Sequence, residues 1–258
     1  MTSLLRRFLL VTWVADLPIV IPRKPLRGLR WSLFPFTAYW RGRHESHWLE
    51  FLDSKLPSLE GCQVWDIGAH FGYYSHWFAR AVGPAGHVHA FEPNPHNFHK
   101  LALHARRNAQ LPITPHPVAV GEKNGTMTMY AYGDAFDTAS HMPFAGETVH
   151  AAPRSWEVNV IALDDAVRRG ELAPPTLIKL DVEGYGGHAV AGAINTIRTA
   201  LPDIIAGLHS HEENSSLDQQ LLPIGYRKLT IEGQQAEYAG GLLDVCYWSP
   251  RHAPSLSN

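Results

Sequence analysis

Four stretches of the sequence carry carboxylates or imidazoles at the end of an apolar run, and these groups bind cations, accept hydroxyl hydrogens or move a proton near neutral pH. The first is Val64-Trp65-Asp66-Ile67-Gly68-Ala69-His70-Phe71-Gly72. It reads as a buried strand, a glycine-containing turn and a helix start, in which Gly68 and Gly72 let the backbone approach a ligand and unpaired helix amides face it. A dinucleotide site would show GxGxxG and leave those amides to a pyrophosphate. Asp66 at the strand end repels phosphate and suits an ammonium group. A cationic cofactor bearing an amino acid, such as S-adenosylmethionine, matches that electrostatics. The second stretch, Phe91-Glu92-Pro93-Asn94-Pro95, ends the next strand in a carboxylate able to accept both hydroxyls of a ribose.

The third stretch, Leu177-Ile178-Lys179-Leu180-Asp181-Val182-Glu183-Gly184, brings Asp181 to the same carboxyl edge, where ligands of open α/β sheets bind. The fourth, Ile204 to Glu213, places His209 and His211 after the following strand. His209 is expected to face the site as a general base with Asp181 beside it, and His211 is a second candidate. Divalent cations also take Asp, Glu and His, so a cation held by Asp181, Glu183, His209 and His211 is an alternative means of polarising a hydroxyl.

The elements that must position these groups follow from the apolar pattern. From Gln63 onward, short apolar runs alternate with amphipathic helical stretches. Strands are expected at Val64–Ile67, Val88–Phe91, Val118–Val120, Leu177–Leu180 and Ile204–Leu208, with helices at Tyr74–Val82, Asn97–Asn108 and Gly187–Ala200. Such alternation predicts a mostly parallel sheet with helices on both faces. Thr126–Tyr132 reads as a hairpin strand after the Asn124-Gly125 turn signal, and Glu157–Leu163 alternates before a helix at Asp164–Arg169. Tyr226–Ile231 and Leu242–Trp248 predict an antiparallel edge. Ahead of the sheet, residues 1–60 form an extension in which Arg23 to Arg30 read as an irregular arm and His44–Leu56 as a helix. Residues 61–250 are then the main domain and 251–258 a tail.

Composition removes whole classes of function. Of 258 residues, 45% are hydrophobic and 18% charged, which excludes a disordered chain. Lys and Arg number 22 against 24 Asp and Glu, for a formal charge of −2, so there is no electrostatic footprint for nucleic acid. Amino methylation of a base would also call for an Asn/Asp-Pro-Pro-aromatic element where Asp181-Val182-Glu183-Gly184 stands. Cys62 and Cys246 without CxxC spacing exclude a disulfide framework and fit the reducing cytoplasm. Arg6 and Arg7 precede a short apolar run, Phe8 to Ala15, with no cleavage site after it, and nothing later approaches the length that spans a bilayer.

From about Tyr39 to Trp248 the chain resembles the FkbM family of class I S-adenosylmethionine-dependent methyltransferases. The resemblance rests on Tyr39-Trp40-Arg41-Gly42-Arg43-His44-Glu45, the run from Asp66 to Ser75, Phe91 to Pro95, Ala119-Val120-Gly121, Asn124-Gly125, Leu163-Asp164-Asp165 and Ile178 to Gly184. It implies an α/β fold with a Rossmann-like seven-stranded sheet. The activity implied is O-methylation of a hydroxyl on a sugar, glycoconjugate or natural product, so the partner is a small-molecule or carbohydrate acceptor. It assigns Asp66, Gly68, Ala69 and Gly72 to the methionine part of the cofactor and Glu92 to the ribose, with Glu45 and Asn94 as neighbours, and Asp181 and His209 to the catalytic edge. Two departures stand out, because Tyr185-Gly186 and Gly207-Leu208-His209 carry glycine where the family commonly has a carboxylate. They imply weaker dependence on a divalent cation and space for a bulky acceptor, covered by Trp31, Phe34 or Trp40. A cofactor-binding protein that has lost catalysis is the alternative they leave.

Overall fold

A computed structural model describes residues 16–33, 52, 58–131, 154–230 and 233–251. Its centre is a seven-stranded sheet built from β3 (Gln63–Ile67), β4 (His87–Phe91), β5 (Ile113–His116), β9 (Leu177–Leu180), β10 (Asp203–Leu208), β11 (Arg227–Thr230) and β12 (Leu243–Trp248). The strand order is β11-β12-β10-β9-β3-β4-β5. From β10 to β5 every pairing is parallel, while β12 runs antiparallel between β10 and β11. This is the expected Rossmann-like sheet with its antiparallel C-terminal edge.

Successive side chains of a strand point to opposite faces, so each inner strand feeds two cores. Val64, Val88, Leu177 and Ile205 join Phe78 and Val82 of helix α1 (Tyr73–Val82) on one face. Trp65, Phe91, Ile178 and Ile204 face the other way. There they meet Leu163 of α3 (Leu163–Arg168), Val190 of α4 (Gly186–Ala191), Ile197 of α5 (Ile194–Ala200) and Leu217 of α6 (His211–Leu221). Helix α2 (Pro95–Arg107) follows β4, and Asn94 caps its start by accepting from the amides of His96 and Asn97 at 2.9 and 3.3 Å. Among the described residues no helix is long and apolar enough to cross a membrane.

Three expectations need correction, and a fourth falls outside the described residues. Val118–Val120 does not enter the main sheet: β6 (Ala119–Val120) joins β7 (Gly125–Ala131) and β8 (Arg154–Ile161) in a separate three-stranded sheet ordered β6-β8-β7. The main-sheet strand is β5, an edge strand, where Pro115 costs no central ladder bond. Asn124-Gly125 is not a hairpin turn, since β6 and β7 both pair with β8, and Asn124 instead ties Ala162 N and Asp165 to the turn. The helix expected over Gly187–Ala200 is two helices, and Asp164 caps the second by accepting from the amides of Asn195 and Thr196. The helix at His44–Leu56 lies outside the described residues, Leu52 excepted.

The arm is also more ordered than its composition predicts. β1 (Pro18–Val20) and β2 (Arg30–Ser32) pair antiparallel, and Arg80 of α1 donates to the carbonyls of Pro25 and Arg27 at 2.7 and 2.6 Å. Trp31 is 1% exposed, stacks on His104 at 3.7 Å between ring centroids, and meets His76 edge-on. It therefore packs the arm onto the domain and does not cover an acceptor; Phe34 and Trp40 lie outside the described residues.

Replacing Trp31 with Ala removes a large buried side chain and should cost about 3 to 5 kcal/mol. The expected readout is a lower denaturant midpoint with an unchanged slope. A loss below about 1 kcal/mol would show that the arm is not part of the cooperative unit.

Candidate functional site

The carboxyl edge of β3, β4, β9 and β10 gathers the residues that the sequence singles out. After β3 the chain turns sharply. Gly68 has φ +82°, and a Cβ there would sit 1.8 Å from the carbonyl oxygen of Asp181. Any side chain would thus strain the backbone and drive the two strand ends apart. The amides of Gly68 and Ala69 both donate to the carbonyl of Phe91, at 3.0 Å each. Gly72, at φ +84°, opens α1 with no side-chain cap. Two buried histidines hold this turn from behind. Nδ1–H of His104 donates to the Phe71 carbonyl at 2.9 Å and its Nε2 accepts from Ser32 N at 3.1 Å, while Nδ1–H of His76 donates to the Gly72 carbonyl at 2.6 Å. Burial lowers the His76 pKa to about 4, so the ring is neutral at pH 7.

Asp66 and Glu92 are both buried, and they do different things. Asp66 is fully enclosed, accepts from Ser75 Oγ at 2.5 Å and lies 3.6 Å from the ammonium of Lys179. Burial raises its pKa against the pull of Lys179 and Ser75. One ammonium group, that of Lys179, thus already stands beside Asp66. Glu92 Oε2 accepts from the amide of His70, and Oε1 from that of Asn94, both at 2.8 Å. It links the turn after β3 to the turn after β4, and burial pushes its pKa up to about 7. Asn97 donates to it as well, and three such bonds leave the carboxylate room for a further donor. Asn94 spends its side-chain oxygen on the α2 cap, and Glu45 lies outside the described residues.

At the next two strand ends, Lys179 also approaches Asp181 at 3.4 Å and stands over the Tyr74 ring. His209 Nε2 lies 3.0 Å from Asp181 Oδ1, and its Nδ1 lies 3.3 Å from Glu183 Oε2. Burial would raise the Asp181 carboxyl, but Lys179 and His209 hold it well below the usual range. Burial likewise opposes charge on His209, but Asp181 and Glu183 outweigh it and raise the imidazole above 6.5. The backbone of His209 is fixed too, by donation to Glu213 Oε2 at 2.8 Å.

The structure therefore brings Asp181 and His209 together as expected, with Glu183 on the second ring nitrogen. It leaves His211 out. That residue starts α6, is exposed, and meets the Tyr238 ring edge-on. Its position in a helix follows from Ser210, which caps α6 by accepting from Glu213 N at 3.0 Å. Among the described residues, no group of three or more His, Cys, Asp and Glu is arranged to hold a metal ion.

The FkbM methyltransferase domain model matches residues 66–228 of the 258. The chain belongs to the FkbM methyltransferase family. It is 26% identical over 169 residues to a hexuronic acid methyltransferase of Haloferax volcanii, covering 64% of this chain and 65% of that one. It is also 26% identical over 179 residues to the 31-O-demethyl-FK506 methyltransferase of Streptomyces tacrolimicus, covering 58% of this chain and 66% of that one. The chain thus spans slightly less than two thirds of the length of these relatives. The crystal structure of an FkbM methyltransferase from Methylobacillus flagellatus shares the fold, with a TM-score of 0.50 and 20% identity over 76% of this chain and 45% of that one.

Two residues of the FkbM domain escaped the sequence reading. Lys179 stands inside an apolar strand and looks like a core position. Glu213 closes a Ser-x-x-Glu capping pattern, a signal that would have revealed both α6 and the carboxylate. It is 2% exposed, and its Oε1 accepts from the amide of Gly186 at 2.9 Å, where a Cβ on Gly186 would lie 2.6 Å away. The carboxylate expected to be missing at Gly186 is therefore replaced by one from α6, and no acceptor space opens there. Asp244 of β12 pairs across from Gly207.

Lys179→Met would leave Asp66 and Asp181 without their shared ammonium, at a cost of about 3 to 5 kcal/mol. Folded Asp66 has a raised pKa and takes a proton more readily than the unfolded chain, so the loss should shrink as pH falls from 8 toward 5 and grow as pH rises. Urea unfolding at both pH values checks this; a pH-independent loss would mean that Asp66 stays ionised without Lys179.

Proposed function

We propose that this chain is an S-adenosylmethionine-dependent O-methyltransferase whose acceptor is a hydroxyl of a sugar, glycoconjugate or natural product, with His209 taking the hydroxyl proton. The observation that carries this reading is the clamping of His209 between Asp181 and Glu183 at the carboxyl edge, beside the turn of Gly68 to Gly72. Family membership and the two relatives named above support it.

The residues fit the donor. The turn has no room for a side chain at Gly68, Glu92 keeps acceptor capacity for a ribose hydroxyl, and the edge is acidic, as a sulfonium and an ammonium require. Bound there, the donor supplies an already activated methyl group, so the protein's task is alignment and removal of one proton.

His209 is built for that task in its neutral form. Nε2–H then donates to Asp181, and the Nδ1 lone pair faces Glu183 Oε2 across 3.3 Å. Two acceptors face each other, and a proton on Nδ1 or a donor that reaches the pair from the side relieves the repulsion. A substrate hydroxyl is such a donor; its proton passes to Nδ1, and Asp181 and Glu183 stabilise the imidazolium that results. Lys179 keeps Asp181 ionised throughout. Two free thiols, Cys62 and Cys246, suit a reducing cytoplasm.

Transfer of labelled methyl to a library of polyols tests the reaction. Calorimetric binding of the donor without transfer would instead indicate a protein that has lost catalysis. His209→Ala should lower turnover by about 10²- to 10⁴-fold with donor affinity nearly unchanged. Wild-type turnover in that variant would remove the assignment.

Two pH dependences follow, with opposite residues in charge. The base form of His209 is the active one, so turnover should rise with pH through a midpoint above 6.5, and Asp181→Asn should move that midpoint down. Donor affinity should rise as pH increases through about 7, where Glu92 becomes a pure acceptor, and Glu92→Gln should flatten that dependence. Glu92→Ala should cost about 1.5 to 3 kcal/mol of donor binding. Calorimetry between pH 6 and 8 separates the two effects.

A further inference from the structure

We infer that the β1–β2 arm is a docking surface for an anionic lipid bilayer, holding the chain reversibly at a membrane with its catalytic edge left clear. The inference stands independently of the methyl-transfer reading.

The formal charge of the whole chain is −2, but the charges are not evenly spread. From Leu17 to Leu33 the sequence holds four cations, Arg23, Lys24, Arg27 and Arg30, and no Asp or Glu. All four are exposed, whereas Ile21, Leu26, Leu29 and Trp31, which stand among them in sequence, are buried. The loop that carries them is fixed. Ile21 N donates to the Leu29 carbonyl and Gly28 N to the Ile21 carbonyl, at 2.9 Å each, and Arg80 holds the carbonyls of Pro25 and Arg27 from beneath. The nearest acid in the sequence, Asp16, is paired with Lys100. Among the described residues no carboxylate pairs with any of the four cations, so the arm presents a rigid surface of one sign.

The neighbours of these cations decide what kind of anion they suit. Val20 is 61% exposed and directly opposes Arg30 in the β1–β2 pair, so the two side chains share a face. Leu17 is 50% exposed at the start of the same hairpin. Ahead of it, Phe8 to Ala15 is a further apolar run in the sequence. A nucleic acid would use the cations but not the aliphatic groups, and its bases stack on exposed aromatic rings. Trp31, the aromatic residue of the hairpin, is instead buried against His104. A bilayer interface uses both features, because acidic headgroups attract Lys and Arg while aliphatic side chains enter the boundary with the acyl chains. Two such signals together hold a protein where one alone is marginal.

The placement of the loop leaves the site accessible. Arg80 stands in the last turn of α1 and Gly72 opens the same helix, so the basic loop lies at the far end of α1 from the turn of Gly68 to Gly72. A bilayer bound there need not touch the carboxyl edge of the sheet.

Flotation of the full chain with vesicles tests this, using pure phosphatidylcholine and phosphatidylcholine mixed with phosphatidylglycerol. Binding is expected to the mixed vesicles, to weaken as salt rises, and to be much weaker on the neutral ones. The triple variant Arg23→Gln, Lys24→Gln, Arg27→Gln should lower partitioning about 100-fold, about fivefold for each cation, with the thermal transition and donor affinity unchanged. Leu17→Ser with Val20→Ser should lower it about tenfold. No binding to the mixed vesicles, equal binding to both kinds, or undiminished binding by the triple variant overturns the inference. Tighter binding to a duplex DNA or RNA fragment than to the mixed vesicles also overturns it and makes the arm a nucleic-acid contact. All of these outcomes are read from partitioning, so each leaves the methyl-transfer reading as it stands.

Discussion

β3 and β9 lie side by side with Asp66 directly opposite Lys179, and both side chains are directed to the same buried face as Asp181. Burial disfavours charge on Asp66, the ammonium offsets that cost, and the ammonium could not be buried without the carboxylates. Because side chains alternate along a strand, a slip of one residue would carry Lys179 to the opposite face and leave Asp66 uncompensated. The triad therefore fixes the register of the two strands whose ends build the site. The close approach of Gly68 to the Asp181 carbonyl depends on the same register.

Around that core, one type of group is used in four ways, distinguished by surroundings. Asp66 is sealed in and matched to a cation, and Glu92 is sealed in and matched to amides. Asp181 is partly exposed and kept ionised beside an imidazole. Glu213 is structural: a brace between the amides of Gly186 and His209 that joins the start of α4 to the end of β10. Burial sets the cost of each charge, and the partner decides whether that cost is met by pairing or by a raised pKa.

The sheet was legible wherever an apolar run ended in a charged residue, as at Asp66, Glu92, Asp181 and His209. β5 was not, because Ile113-Thr114-Pro115-His116 has neither an apolar run nor a clean alternation, and only its edge position makes the proline acceptable. At the site, the pairing of Asp181 with His209 followed from adjacent strand ends. Lys179 did not, since its role arises from a cross-strand neighbour that no local pattern encodes. His211 stands in the first turn of α6 because Ser210 caps that helix, a signal that the sequence reading did not use.

The order in which the strands are made differs from the order in which they lie. β11 is synthesised before β12, yet in the sheet β12 lies between β11 and β10. Until β12 emerges from the ribosome, β11 has no neighbour in the sheet and β10 presents a bare edge at the very strand that carries His209. The last described strand thus closes the sheet like a key inserted between two existing elements. A nascent chain halted after β11 could hold the turn of Gly68 to Gly72 and still lack a settled catalytic edge, so this topology couples competence for chemistry to the synthesis of β12.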